Sequence, residues 1–144
     1  MAFIGNKEKN FRKYLLNHFG IALPPGVRIF FHHGVRAGNS DIIKSDIKGE
    51  KGYAACDPGF NPTNSFIQNF GHLATKNFVE VDAPKAREFA LGRGLGKMAL
   101  GQRSMWIAVR HKGFTVGMGY YDAKDGKLKN HIPKKRCRNM VNTL

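Results

Sequence analysis

Apolar positions along this chain follow two periods, and the switch between them divides it into elements. Phe11, Tyr14, Leu15 and Phe19 recur at spacings of three and four, one stripe of an amphipathic helix. Asn6 is a candidate cap, so the spacing predicts a helix from Lys7 to about His18, stopped by Gly20. Pro24-Pro25-Gly26 interrupts the pattern, and Val27 to His33 then reads as a strand by its branched and aromatic content. Gly34 to Gly38 continues as a short strand with glycine bends, residues 39–51 as an exposed polar connection, and Gly52 to Cys56 as another short strand. Asp57-Pro58-Gly59 is turn chemistry.

The helical period returns after Asn61-Pro62, a cap followed by proline, with Phe66, Ile67, Phe70 and Leu73 facing inward. Asn77 to Val81 alternates as a strand. Asp82 caps a further helix with Pro84 in its first turn and Ala86, Phe89 and Ala90 facing inward, until Gly92 breaks it. Met105 to Arg110 is a strand, His111-Lys112-Gly113 a turn, and Phe114 to Tyr121 the antiparallel partner. Asp122 to Gly126 turns the chain into a return segment from Lys127 to Arg138. Several short strands with about three short helices predict an α+β fold, a small mixed or antiparallel β pseudo-barrel decorated by helices. Strands and helices do not alternate regularly, which disfavours a doubly wound parallel sheet. We read residues 1–25 as a helical extension packed on a domain formed by residues 26–144.

Charge changes this picture most. The chain of 144 residues has 24 Lys and Arg against 10 Asp and Glu, a formal charge of +14. Such an excess costs stability by self-repulsion, and a polyanionic partner explains it, nucleic acid foremost. No helical segment opposes a basic face to a large apolar one, so an anionic membrane surface is disfavoured. No apolar run approaches the roughly 18–20 residues of a membrane span, and the N-terminal segment lacks the apolar core of a signal peptide. The expectation is a cytoplasmic, monomeric protein. Cys56 and Cys137 form no CxxC pattern and read as unrelated reduced thiols.

Other chemistry is thin. His32 and His33 are adjacent, point to opposite faces of a strand, and lack a companion at metal-ligand spacing, so no metal and no cofactor is expected. Gly92 to Lys97 is glycine-rich and basic, yet it follows a helix and lacks the serine or threonine of a phosphate loop. Glu80 and Asp82 are the best carboxylate pair for a small nuclease, and each has a simpler role, at a strand end and as a helix cap.

The segment Gly113 to Arg138, GFTVGMGYYDAKDGKLKNHIPKKRCR, resembles the C-terminal module of the Nol/Nop/Sun family of RNA cytosine-C5 methyltransferases. Leu128, Lys129, Asn130, His131, Pro133 and Lys134 match its signature, and Arg136 or Arg138 matches the basic residue that closes it. Gly59 to Phe66 is similar to the family's helix start, and Glu88 to Leu95 to its helix ending in a basic glycine loop, with a departure at Arg93. The resemblance implies a PUA-like domain that binds structured RNA, transfer or ribosomal. The methyl-donor domain of that family has no counterpart in this length, and Cys56 lacks a setting that would activate it.

The expectation is therefore a non-enzymatic RNA-binding protein serving RNA modification or ribosome biogenesis. An alternative reading is a subunit that delivers RNA to a separate modifying enzyme. Lys127, Lys129, Lys134, Lys135, Arg136 and Arg138 are expected to contact phosphates. Asn130 and His131 would meet a base edge or a 2′-hydroxyl, with turn shaping as the other role open to Asn130. Arg36, Arg93, Lys97, Arg103 and Lys112 form a second tier.

Overall fold

A computed structural model describes residues 2–24, 26–31, 35–38, 53–56 and 61–134. Its first helix, α1, spans Ala2–Tyr14 and passes into a π-helical turn at Leu15–Phe19, closed by Gly20 at φ 66°. The helix starts four residues before the expected cap, so Asn6 lies inside it. The stripe behaves as the spacing requires: Phe11, Leu15 and Phe19 are fully buried. Gly20 has the left-handed backbone that glycine adopts at little cost, and a side chain there would collide with Thr75.

Strands β1 (Arg28–Phe31), β2 (Val35–Gly38) and β3 (Tyr53–Ala54) form a small antiparallel sheet. His32, His33, the connection 39–51 and the turn 57–59 lie outside the described residues, as does Cys137. Cys56 is buried.

The next helix, α2, is Asn64–Phe70, followed by a 3-10 turn at Gly71–Leu73. Its cap is Thr63, whose hydroxyl accepts from the Phe66 amide, and not Asn61 as the sequence suggested. Pro62 cannot serve as the first helical residue because it bridges to Cys56 in an extended pairing. Helix α3, Ala83–Ala90, matches its expectation: Asp82 accepts from the Lys85 amide at 3.0 Å, and Ala86, Phe89 and Ala90 are buried.

The second sheet has five strands in the order β4-β6-β7-β8-β5: β4 (Phe78–Glu80), β5 (Gly96–Lys97), β6 (Met105–His111), β7 (Phe114–Asp122) and β8 (Lys127–Asn130). Its pairs are antiparallel except β4 with β6, which run parallel across the crossover that contains α3. The result is an α+β arrangement in which a curled mixed sheet forms a half-barrel beside the smaller antiparallel one.

Both faces of the large sheet are covered, which explains the nearly unbroken apolar run in β6. Ala108 and Met118 join Phe11, Leu15, Phe66 and Ile67 in one core. Ile107, Val109, Val116, Tyr121 and Leu128 join Ala86 and Phe89 of α3 in the other. Burying a side chain such as Phe66 or Phe89 contributes about 1.5–3 kcal/mol relative to exposure.

Arg110 fastens the two layers. It is buried on β6, lies 3.5 Å from the centroid of the Phe78 ring, and bonds Glu80 Oε1 at 3.0 Å. Its Nη1 donates to the carbonyls of Gly71, His72 and Ala74 at 3.4, 3.2 and 3.1 Å. These carbonyls end α2 and its 3-10 turn, where the helix dipole is negative and backbone acceptors lack partners. Replacing Arg110 by Met is therefore expected to lower stability by about 2–4 kcal/mol, because buried acceptors lose their donor. Urea denaturation checks this, and an unchanged midpoint would show that the carbonyls find other partners.

Candidate nucleic-acid interface

The turn between β7 and β8 is set by short polar side chains. Asp122 Oδ1 accepts from the Lys124 amide and Asp125 Oδ1 from the Lys127 amide, both at 3.0 Å, and Gly126 takes φ 68°. The chain then returns along β7 with Lys127 opposite Asp122 and Lys129 opposite Tyr120. Lys97 of β5 lies opposite Lys127. Residues directly opposite in an antiparallel ladder project from the same face. Lys97, Lys127 and Lys129 therefore share one exposed face at this edge of the sheet.

The ribbon is less uniformly positive than its sequence. Lys129 Nζ lies 2.9 Å from Asp122 Oδ2 and 3.6 Å from Asp125 Oδ2. The hydrogen bond from Lys129 holds the Asp122 carboxyl below its usual range, and the same bond raises the Lys129 ammonium. Arg93 is similarly paired, with Nη1 at 2.7 Å from Glu88 Oε2, and stays exposed. Both remain on the surface, where such pairs are weak and exchange readily for a phosphate.

Asn130 is committed to the backbone. Its amide donates to the Phe89 and Arg93 carbonyls at 2.6 and 3.1 Å, and its Oδ1 accepts from the Ile132 amide at 2.8 Å. It thus ties the end of α3 to the end of β8, the turn-shaping alternative, with both its amide nitrogen and its Oδ1 engaged by backbone. Gly94 completes that junction: a side chain there would come within 2.8 Å of the Leu128 carbonyl oxygen, which accepts from Leu95 at 3.0 Å.

Other expected site residues disperse. Lys112 sits at the far end of the β6–β7 hairpin, about 26 Å from Asp122 along a strand of this length. Arg36 is buried on β2 of the small sheet. Lys134 is exposed just beyond His131, while Lys135, Arg136 and Arg138 lie outside the described residues. Arg103 is exposed beside Ser104.

An aromatic cleft adjoins the lysine face, and the sequence reading missed it. Opposite Lys129 stands Tyr120, and opposite Tyr120 stands Trp106, so one cross-strand row runs from cation to aromatic. Trp106 and Tyr120 are 4.8 Å apart at their centroids, and His131 meets the Trp106 ring edge-on at 4.7 Å. Tyr14 and His18 stack at 5.4 Å on the opposite wall, and His18 Nε2 lies 3.0 Å from the Trp106 carbonyl. Together they line an open cleft of about 540 Å³. Partial burial lowers the His131 imidazole below the usual histidine range, which favours its neutral form. Strand alternation could have paired Trp106 with Tyr120. Nothing in the sequence brings Tyr14 and His18 across to them.

The edge of the half-barrel thus carries lysines beside half-buried aromatics. Residues 76–138 match the family model described as the methyltransferase RsmF PUA domain. The chain is also similar to the ribosomal RNA small subunit methyltransferase F of Aeromonas salmonicida and to that of Aeromonas hydrophila, each 33% identical over 81 residues. The namesake in Psychromonas ingrahamii is 26% identical over 80 residues. Each match covers 56% of this chain and 16% of the relative. The resemblance to the C-terminal module of the RNA cytosine methyltransferases thus rests on the segment that holds β4 to β8.

Substitution separates scaffold from contact here. Asn130→Ala is expected to lower stability by about 1–3 kcal/mol, since the partly buried Phe89 carbonyl and Ile132 amide lose their partner, as does the exposed Arg93 carbonyl. Lys127→Ala, on the exposed face, should leave the unfolding midpoint unchanged. Equal midpoints for the two variants in chemical denaturation would contradict the assignment of Asn130 to the scaffold.

Proposed function

We propose that this chain binds structured RNA, ribosomal or transfer, on the lysine face of the β5–β8 edge, and that it holds the RNA without doing chemistry on it. The observation that carries the reading is the coincidence of two features in one segment: the PUA-domain match over residues 76–138 and the gathering of Lys97, Lys127 and Lys129 on one face. Lys134, Lys135, Arg136 and Arg138 would add phosphate contacts, and Arg93 would join them by exchanging Glu88 for a phosphate. The best carboxylate pair for a nuclease is otherwise engaged, with Glu80 on Arg110 and Asp82 on the Lys85 amide.

Engagement of four to six phosphates gives a log–log salt slope of about −3 to −5. Lys97→Glu combined with Lys127→Glu should weaken binding and flatten that slope by about 2. Titration of end-labelled transfer RNA and ribosomal RNA fragments at several salt concentrations measures both. A salt-independent affinity would remove phosphate contact as the basis of binding.

The named relatives are ribosomal RNA methyltransferases, and the matched stretch is a minor part of each. That favours a second role, delivery of RNA to a catalytic unit. Affinity capture with and without nuclease treatment tests it: a methyltransferase retained after nuclease digestion supports delivery by direct contact, and its loss assigns the association to shared RNA.

A further inference from the structure

We propose that the cleft between the π-helical turn and the β6–β7 strands is a pocket for one unpaired nucleobase, with the phosphates on either side of that nucleotide held by the neighbouring cations. This rests on the RNA reading above and adds to it a site that reads bases instead of charge.

The cleft, about 540 Å³, falls within the range of ligand pockets, about 300–1,000 Å³. Its walls are mainly rings, from Tyr14, His18, Trp106, Tyr120 and His131, and no carboxylate among the described residues lines it. Flat π-faces of this kind take any base by stacking.

The rings are held in place before any ligand arrives. The Trp106 indole Nε1 donates to Asn61 Oδ1 at 3.0 Å, and its ring is braced by Tyr120 and by the edge of His131. On the opposite wall, Tyr14 and His18 lie nearly parallel, 7° between planes. Fixed aromatic side chains cost little conformational entropy on binding. A neutral His131 offers an aromatic edge and one acceptor nitrogen in place of a second positive charge.

Polar groups at the mouth suit a base edge. Ser104 Oγ accepts from the Ala123 amide at 2.9 Å and keeps its own proton to donate. The charge outside complements a nucleotide: Lys129 is the cross-strand neighbour of Tyr120, Lys134 follows His131 closely, and Arg103 precedes Ser104. A duplex keeps its bases stacked and paired, so the pocket selects a bulged, looped or single-stranded position.

Trp106 is the single tryptophan of the chain, so its emission reports this cleft alone. The probes are a single-stranded oligoribonucleotide, the same strand with abasic residues throughout, and a fully paired RNA duplex, each end-labelled for anisotropy. The intact strand is expected to quench Trp106 emission and to bind about 5- to 150-fold more tightly than the abasic strand. His131→Ala should remove much of that difference while leaving the salt slope unchanged. Salt-dependent binding with equal affinity for intact and abasic strands, and no quenching, would overturn the base pocket and leave the lysine face standing. Absence of binding to all three probes would overturn the RNA reading itself. The intact-versus-abasic comparison uses the unmodified protein and does not depend on how the variant folds.

Discussion

Strand β7 runs between two helical layers, and its neighbours come so close that a side chain at position 117 or 119 would force them to shift. A side chain at 117 would meet Ile132, and one at 119 would meet Leu128 and the Lys129 carbonyl oxygen at about 3 Å. The backbone between them is claimed from both sides: the Met118 amide donates to Asn64 Oδ1 at 2.8 Å, and the Met118 carbonyl accepts from the His131 amide at 3.0 Å. That close approach lets β8 and the segment after it lie flat against the core. A bulkier strand would lift Leu128 and Ile132 out of their contacts and carry the lysines with them.

Two consequences reach the surface. Leu128 and Tyr121 point inward, so strand alternation sends Lys127, Lys129 and Tyr120 outward together. His131, anchored by its amide to Met118, is brought against the Trp106 ring. The cationic face and the aromatic cleft are therefore neighbours because one strand is thin. Affinity for a polyanion and capture of an unpaired base would draw on different physics, counterion release and stacking, and the fold sets a cationic face beside an aromatic cleft.

The ion pairs on the lysine face moderate what composition suggests. A charge of +14 invites a picture of unopposed lysines, yet Asp122 and Asp125 sit against Lys129 and Glu88 sits against Arg93. These acids also shape the turn, with Asp122 and Asp125 each accepting a backbone amide. The same carboxylates thus order the loop and lower its repulsion in the absence of RNA.

Local rules were legible wherever one residue type has one physical use. Asp82 before Pro84 had to cap a helix, Gly126 after Asp125 had to turn, and the periods of Phe66-Ile67 and Ala86-Phe89-Ala90 had to face a core. Caps were misplaced where several polar residues compete: Asn6 lies inside α1, and Thr63 took the role expected of Asn61. In both cases a backbone decides which side chain reaches an orphan amide, and the sequence carries no such geometry. The sequence by itself determined the β7–turn–β8 unit, its lysines and the resemblance they carry, because those depend on neighbours a few residues apart. Only tertiary structure decided that Arg36 is buried and Lys112 distant, and that Asn130 is spent on the backbone. It alone joined Tyr14 and His18 to Trp106, because contacts between residues so far apart in sequence arise from packing two layers on one sheet.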